Sequence, residues 1–343
     1  MPDVAPPRWY QLSPTAFRRL TLVIVVFLVL LIGSGGWVRL SESGLGCPTW
    51  PKCYGNDLVA HASYHPLIEF VNRCVITAVG ILTGLTFLAA LFRQGRRRDL
   101  VWLAFSLGIG YVLEAVLGGI TVLLKLAPAL VAAHLVLAMV ILSVGVVLHW
   151  RAGLAPGAPT TRGKPVPREV VQLGRLLLVA ITVVVVLGTV ATGSGPHSGS
   201  PGTPRFPFDF RAATETHAVA GWFLFGLIIA TYVALRVVGA DWPLRRAHLV
   251  LVGMTAFQGI IGYTQYFLSL PIDLVEVHIV SAALLVAAMV RFNLRLHSTP
   301  AERPRSEGGD DAAASVAGLP AGSSTQDLLP ERETVPTPTP VGR

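Results

Sequence analysis

Residues 130–149 read LVAAHLVLAMVILSVGVVLH, an uncharged segment in which most residues are apolar and one histidine, His134, lies near the start. An apolar segment of about 20 residues is long enough to cross the hydrocarbon core of a bilayer as one helix. Similar segments occur at about 20–38, 67–92, 101–123, 172–192, 215–235, 247–268 and 273–290. The sequence therefore predicts an all-α polytopic membrane protein with eight transmembrane helices.

The composition excludes an ordinary soluble protein of this length. Hydrophobic residues make up 52% of the 343 residues and charged residues 13%, whereas a soluble domain carries about 25% charged residues. The formal net charge is +8. In a membrane protein, Lys and Arg residues set the orientation of the helices, so this excess does not indicate a nucleic-acid partner, and we predict none.

Basic residues fall mainly on one side of the predicted membrane. About 16 Lys and Arg residues lie on that side, while the opposite side holds Arg39, Lys52, Lys125, Arg205 and Arg211. The positive-inside rule then places both termini in the cytoplasm, and we predict a multi-pass protein of the cell membrane. The first segment is long and no small-residue cleavage site follows it, so we expect a helix rather than a signal peptide.

The chain also divides into two halves. Residues 152–169 are rich in Pro and Gly, which indicates a flexible linker, and the C-terminal residues lack a periodic apolar face, which is typical of a disordered tail. We predict five parts: a cytoplasmic N-terminus (1–19), an N-terminal four-helix bundle (20–150), a cytoplasmic linker (151–171), a C-terminal four-helix bundle (172–291) and a disordered cytoplasmic tail (292–343).

A weak internal repeat relates the two predicted bundles. A shift of 144 residues aligns Glu114 with Gln258, Gly118 with Gly262 and His134 with His278, and a shift of 145 aligns Asn72 with His217. Because each half has an even number of helices, both halves have the same orientation, unlike the inverted repeats of many transporters. Each bundle can hold one ligand between its helices, and we expect residues 114 and 258 to form interhelical hydrogen bonds.

Three histidines lie inside the outer ends of predicted helices, at positions 134, 217 and 278. Polar residues at this depth are costly and usually functional, although any one of them can also be an interfacial or capping residue. Two imidazoles on facing helices favour a heme iron between apolar helix faces. Zinc is a weaker alternative, because only two imidazoles converge and no thiolates cluster. The other intramembrane histidines are expected to reach the cytoplasmic interface: His149, His248 and His297.

The N-terminal half departs from this pattern. Asn72 stands where the repeat expects a partner for His134, and Asn is a poor iron ligand, so this half is predicted to hold a porphyrin by one histidine. Glu69 lies one helical turn before Asn72, and a carboxylate there can accept a proton or orient water. Two alternatives remain open: Glu69 forms an interfacial ion pair with Arg73, or Arg73 binds a heme propionate.

Two cysteines, Cys47 and Cys53, lie in the predicted outer loop, in the segment GCPTWPKC. Cysteines so close together on the oxidising side of a membrane favour a disulfide bond, whether structural or redox-active. Two free thiols are the alternative.

Six segments together resemble the heme A synthase family over residues 20–290: SGLGCPTWPKC, HPLIEFVNR, LGGITVL, AAHLVLA, TETHAVAG and VEVHIVSAA. The resemblance implies two parallel four-helix bundles in the membrane. It also implies that the C-terminal half binds a heme b cofactor through His217 and His278. The outer-loop cysteines of the family match Cys47 and Cys53.

The resemblance further implies an oxidoreductase that converts the C8 methyl group of heme O to a formyl group, giving heme A for terminal oxidase assembly. Its functional glutamate matches Glu69, and its substrate-heme residues match Asn72, Arg73 and His134, with iron ligation by His134. The family's usual histidine is replaced by Asn72. Implied partners are heme O, heme O synthase, oxidase assembly factors, membrane lipid and a second copy of the chain.

Two other functional classes make different predictions. A diheme b-type cytochrome that relays electrons requires two symmetric bis-histidine sites, which Asn72 contradicts. A porphyrin transporter favours broken helices near the middle of the membrane, whereas the polar sites here cluster at the outer helix ends.

Overall fold

The computed structural model describes residues 11–57, 59–60, 62–154 and 166–296. Within these ranges the regular secondary structure is α-helical, apart from two isolated β-bridges. The helices are α1 (Pro14–Leu40), α2 (Tyr64–Leu91), α3 (Arg98–Leu123), α4 (Pro128–Ala152), α5 (Arg168–Ser194), α6 (Phe210–Val237), α7 (Trp242–Phe267) and α8 (Ile272–Leu296). The predicted all-α fold class is confirmed.

All eight helices in the described part of the chain are long and apolar enough to cross a membrane. Large apolar side chains lie on their outward surfaces: Val219 is 68% exposed, and Trp102 and Ile260 are each 66% exposed. A water-soluble monomer rarely exposes contiguous apolar surface of this extent. The protein is therefore a multi-pass membrane protein, as the sequence predicted.

Polar caps extend the helices beyond the apolar segments of the sequence. The hydroxyl of Ser13 accepts a hydrogen bond from the amide of Ala16 at 3.2 Å at the start of α1. The carboxylate of Asp209 accepts one from the amide of Ala212 at 2.8 Å at the start of α6. These side chains satisfy amide groups that have no partner within the helix. The helices therefore begin earlier than the apolar segments alone indicated.

Contacts between the helices form two rings. Helices α1 and α3 each pack against both α2 and α4, and helices α5 and α7 each pack against both α6 and α8. Helix α8 also contacts α1 and α4, and α4 contacts α5, so packed surface continues from one ring to the other. The predicted division into two separate bundles, each with its own ligand, stays a prediction.

The loops after α3 and α7 share one backbone conformation. Lys125 and Leu126 have φ angles of 51° and 59°, and Ser269 and Leu270 both have φ of 62°. Residues other than glycine rarely adopt this region. In each loop the amide of the leucine donates to the carbonyl five residues earlier, at 2.8 Å for Leu126 and 2.7 Å for Leu270. The two loops are 144 residues apart, so the backbone follows the repeat found in the sequence.

The histidines near the inner helix ends do not all behave as expected. His248 is fully buried, and its Nε2 lies 2.8 Å from the carbonyl oxygen of Ile228. The expectation that His248 reaches the interface is wrong, because α7 turns this side chain toward α6 and α8 rather than toward the membrane surface. His149 is half-buried, with Nδ1 3.1 Å from the hydroxyl of Thr21. His297 lies outside the described residues.

Parts of the predicted connecting regions also lie outside the described residues. These are positions 1–10 of the N-terminus, 155–165 of the linker and 297–343 of the tail. Helix α4 ends at Ala152 and α5 begins at Arg168, both inside the range predicted as linker. Helix α8 continues to Leu296, beyond the predicted start of the tail at 292.

Helices α5 and α8 approach each other closely at Gly174. A Cβ atom on Gly174 would lie 2.4 Å from Cδ1 of the fully buried Leu296 and 2.9 Å from Oδ1 of Asn293. Overpacking a well-packed core costs about 1–3 kcal/mol. We therefore expect Gly174→Val to lower the free energy of unfolding by about that amount, measured by denaturant titration of the detergent-solubilised protein.

Gly226→Val is the matched control for this substitution. Gly226 lies within α6, and an added Cβ there has no neighbouring heavy atom within 4 Å. Both variants place the same β-branched residue in a helix, so intrinsic helix propensity affects them equally. Equal destabilisation of the two variants would contradict close packing at Gly174.

Candidate functional site

His217 and His278 face each other across the second ring of helices. His217 lies on α6 and His278 on α8, with ring centroids 6.3 Å apart and ring planes inclined at 72°. Nδ1 of His217 lies 3.0 Å from the carbonyl oxygen of Val184 on α5. A carbonyl oxygen only accepts hydrogen bonds, so in this contact Nδ1 carries the proton and Nε2 keeps its lone pair. The neutral imidazole of His217 is thus prepared to bind a metal through Nε2.

Each of the three predicted histidines lies against a glycine of a neighbouring helix. The pairs are Gly188 with His217, Gly262 with His278 and Gly118 with His134. A Cβ atom on Gly118 would lie 2.9 Å from Cε1 of His134, and the corresponding distances are 3.0 Å at Gly188 and 3.4 Å at Gly262. The absence of a side chain at these positions lets each imidazole pack against helix backbone. A glycine on a neighbouring helix therefore contacts the imidazole ring in both halves of the chain.

Residue 258 connects α7 to α8 next to His278. The side-chain nitrogen Nε2 of Gln258 donates to the backbone carbonyl of His278 at 3.2 Å, which is the interhelical hydrogen bond expected from the repeat. Oε1 of Gln258 and Nδ1 of His278 are both buried without a hydrogen-bond partner among the described residues. Such atoms call for an explanation in a packed interior. These two atoms could form hydrogen bonds with a group bound at this end of the second ring.

His134 has a carboxyl group as its neighbour in the first ring. Its Nδ1 lies 3.1 Å from Oε1 of Glu114 on α3, and Glu114 is buried. Asn72 lies on α2, and its Oδ1 accepts a hydrogen bond from the hydroxyl of Ser34 on α1 at 2.8 Å. The side-chain oxygen of Asn72 thus already has a hydrogen-bond partner, and whether the residue binds a metal stays a prediction.

Glu69 is buried at the outer end of α2, with 4% of its surface exposed. Its Oε2 accepts a hydrogen bond from the backbone amide of Cys47 at 2.7 Å. Its Oε1 accepts one from the guanidinium of Arg73, also at 2.7 Å. The ion pair left open by the sequence is therefore present, and the carboxylate also holds the loop that contains both predicted cysteines.

Arg73 ties the same outer loop to α2. Its guanidinium donates to the carbonyl oxygens of Cys47 and Thr49 at 3.0 Å each and of Lys52 at 3.1 Å. A planar guanidinium can bridge several acceptors at once because its donors are fixed in a fork. In this structure Arg73 binds Glu69 and the loop, so the alternative of a propionate partner requires some of these bonds to be exchanged.

The outer loop covers the outer end of the first ring. Cys47 and Cys53 are buried and joined by a disulfide bond. Between them, Trp50 packs on α3 at Gly119, where a Cβ atom would lie 2.5 Å from Cδ2 of the indole. Gly119 adjoins Gly118, the residue that contacts His134. The loop therefore closes directly over the predicted substrate half.

Sequence reasoning missed one acidic residue, Glu276 on α8. Its carboxylate lies against α1, and it lines a cavity of about 600 Å³ together with Ser34 and Asn72. The signal was present in the sequence, because the segment VEVH carries an acid where the repeat segment VAAH has Ala132. Its position between helices of different halves was not readable without the packing.

Comparison with known families agrees with this arrangement. The COX15-CtaA family, described as cytochrome oxidase assembly protein, matches residues 18–290. The chain belongs to this family. The matched region includes the outer loop and the three histidines, and it reaches from the first turns of α1 nearly to the end of α8.

Three individual proteins named heme A synthase are similar to this member of the family. The one from Shewanella oneidensis is 25% identical, and the similarity covers 81% of this chain and 95% of the relative. The one from Exiguobacterium sibiricum is 30% identical over 121 residues, covering 35% of this chain and 39% of the relative. The one from Symbiobacterium thermophilum is 30% identical over 109 residues, covering 32% and 35%. Of these three, the first extends over nearly the whole chain.

The disulfide bond of the outer loop gives a direct test of this geometry. We expect Cys47 and Cys53 to resist alkylation when the protein is unfolded in detergent without a reductant, because both sulfur atoms are already bonded. Cys74 is a free thiol and serves as the internal control, since it should be labelled in the same sample. Mass spectrometry that finds all three cysteines labelled in freshly isolated membranes would contradict the bond.

Proposed function

We propose that this protein is a heme A synthase, which oxidises the C8 methyl group of heme O to a formyl group and so provides heme A for terminal oxidase assembly. Membership of the COX15-CtaA family and the similarity to named heme A synthases support this function. The observation that carries it is the asymmetry of the two halves. One half holds a facing pair of histidines, and the other holds one histidine beneath a disulfide-closed loop.

The histidine pair has a separation that suits a heme b cofactor. Metal–imidazole bonds are about 2.0–2.1 Å long, so a metal held by both rings needs them to lie near each other without touching. The observed distance between His217 and His278 is 6.3 Å. When bound there, the heme supplies a one-electron redox centre. His217 and His278 would hold its iron, while Gly188 and Gly262 leave room for the rings.

The first half is proposed to take heme O as its substrate. His134 would bind the iron, and the carboxyl group of Glu114 lies 3.1 Å from its Nδ1. Asn72 does not supply a second strong ligand, because its oxygen accepts from Ser34. Binding from one side suits a heme that has to enter as substrate and leave as product.

Glu69 is proposed to have two tasks. It anchors the outer loop through the amide of Cys47, and it is the buried carboxylate placed to accept a proton or to orient water as the methyl group is oxidised. Arg73 keeps the carboxylate in place by a hydrogen bond between the two side chains. Conversion of the methyl group to a formyl group passes through a hydroxylated form, adds one oxygen atom and removes four electrons, so it needs an external electron acceptor, toward which a bound heme b would carry electrons.

The two alternative functions receive less support. A diheme b-type cytochrome would need a second pair of histidine ligands, and Asn72 occupies that position. A porphyrin transporter would favour helices broken near the middle of the membrane, whereas α1 to α8 are continuous where they are described. Neither class is named among the similar proteins reported above.

We also propose the cellular setting that follows from this function. Both termini lie in the cytoplasm and the protein resides in the cell membrane, as the distribution of Lys and Arg indicates. The outer loop with its disulfide bond then faces the oxidising side. Proposed partners are heme O synthase, which would deliver the substrate, oxidase assembly factors, membrane lipid and a second copy of the chain.

Heme extraction tests the proposed function. Membranes that contain the protein and a supply of heme O should accumulate heme A and its hydroxylated precursor, separated by chromatography. Glu69→Gln keeps the shape of the side chain and removes the charge, so we expect it to lose most of this conversion, on the order of 100-fold for a positioned acid–base group. It should retain the heme b of the second half, which uses other helices.

Arg73→Lys is the comparison variant for Glu69→Gln. Lysine keeps a positive charge near Glu69 but loses the fork of donors that holds the loop. If both variants lose conversion equally and both release the loop to proteolysis, Glu69 acts through the loop alone. A Glu69→Gln protein that makes heme A at the wild-type rate contradicts any role in the reaction.

A separate prediction concerns the histidine pair. We expect His217→Ala and His278→Ala each to abolish the low-spin heme b spectrum, because each would remove one of the two facing imidazoles proposed to hold the iron. His149→Ala is the control, since this histidine pairs with Thr21 away from the proposed site and should leave heme content unchanged. An unchanged low-spin spectrum in either site variant would refute the assignment.

A further inference from the structure

An apolar groove opens on the membrane-facing side of α1 and α2, next to the surface where α8 packs against α1. Its volume is about 600 Å³, which lies within the usual range of roughly 300–1,000 Å³ for small-molecule sites. Apolar side chains form most of its wall, including the exposed Leu30, Leu67 and Val71. The polar groups in its wall are the side chains of Ser34, Asn72 and Glu276 and the indole nitrogen of Trp37. The groove therefore suits a long apolar group that carries one polar function.

Helix α1 leaves space for the carboxyl group of Glu276. A Cβ atom on Gly36 would lie 2.6 Å from Oε2 of Glu276, and one on Gly33 would lie 3.2 Å from Oε1. Oε2 is buried and has no hydrogen-bond partner in the described part of the chain. An unsatisfied carboxyl oxygen in an apolar setting is costly. Its retention here points to a ligand that supplies the missing donor.

The groove reaches, at Asn72, the same helix that carries Glu69. Asn72 lies one helical turn from the buried Glu69 and two turns from the buried Val79, on the stripe of α2 that faces the first ring. The same residue lines the groove. The groove and the proposed substrate half therefore share α2 and Asn72, and we expect a side chain of the substrate to leave the first ring beside this residue.

The internal repeat provides a comparison within the molecule. Glu276 precedes His278 by two residues on α8, and the equivalent residue on α4 is Ala132, two residues before His134. Helix α4 packs against α5 as α8 packs against α1. Glu276 therefore faces the half proposed to hold heme O, whereas its equivalent Ala132 lies on the helix that packs against the half proposed to hold heme b.

We propose that this groove binds the hydroxyethylfarnesyl side chain of heme O, and that Glu276 accepts a hydrogen bond from its hydroxyl group. The inference rests on the proposed function and names the contact by which the substrate is selected. Heme b carries a small vinyl group at the same porphyrin position, with neither a hydroxyl group nor a farnesyl chain. Glu276 and the groove therefore distinguish heme O from heme b.

Binding of two probes tests this assignment. Protein purified from a host that makes no heme O is titrated with ferric heme O and, separately, with ferric heme b, and binding is followed by absorbance. Glu276→Ala should weaken binding of heme O about tenfold, roughly the loss expected for one hydrogen bond, and leave the affinity for heme b unchanged. Asp273→Asn, one turn earlier on α8 and exposed, is the matched control and should change neither affinity.

A second variant fills the groove without touching the carboxyl group. Val71→Trp places a large side chain on the groove wall, where Val71 is 52% exposed. It should also reduce the preference for heme O over heme b, while the heme b content of the second half reports that the protein is folded. The assignment would be overturned if the variants lost affinity equally for both hemes, or if neither variant lost affinity for heme O. It would also be overturned if a lipid acyl chain competed equally with both hemes.

Failure of this inference is separable from failure of the proposed function. If the wild-type protein converts heme O to heme A and prefers heme O, but both variants keep that preference, the groove assignment is wrong and the function stands. If the wild-type protein neither prefers heme O nor converts it, the proposed function itself is wrong.

Discussion

Polar groups inside a membrane protein need partners from the protein itself, because the hydrocarbon offers none. Some buried polar side chains of this molecule meet that requirement through helix backbone or a second side chain. His217 uses the carbonyl of Val184, and Glu69 uses the amide of Cys47 and the guanidinium of Arg73. Gly188 leaves room for the ring of His217 at this contact. These hydrogen bonds therefore join α5 to α6 and the outer loop to α2.

The sequence predicted the helices well because length and hydropathy are local properties. Eight apolar segments became eight helices, and their ends moved outward where residues such as Ser13 and Asp209 cap the chain. The histidine pair was also foreseeable, since His217 and His278 interrupt apolar segments at matching depth. Their distance of 6.3 Å was not, because it depends on how α6 and α8 pack.

Other features required contacts between residues far apart in the chain. The sequence left Arg73 with two possible partners, and the structure shows it bonded to Glu69 and to three carbonyls of the outer loop. His248 was expected at the interface because it lies near a helix end, yet α6 and α8 enclose it. Glu276 was overlooked because its neighbours on α1 belong to the other half of the sequence.

The repeat explains how one scaffold can serve two different tasks. Matching backbone turns after α3 and α7 and matching glycine–histidine contacts keep the frame of the two halves alike. The two halves differ at a few equivalent positions that carry polar side chains. Asn72, Glu114 and Ala132 of the first half correspond to His217, Gln258 and Glu276 of the second. Under the proposed function, Asn72 in place of a histidine leaves the iron of the substrate heme with one imidazole, whereas the carboxyl group of Glu276 offers a contact that does not involve the iron. A substrate heme would need this combination, since it would have to be recognised by its side chain and yet released after reaction.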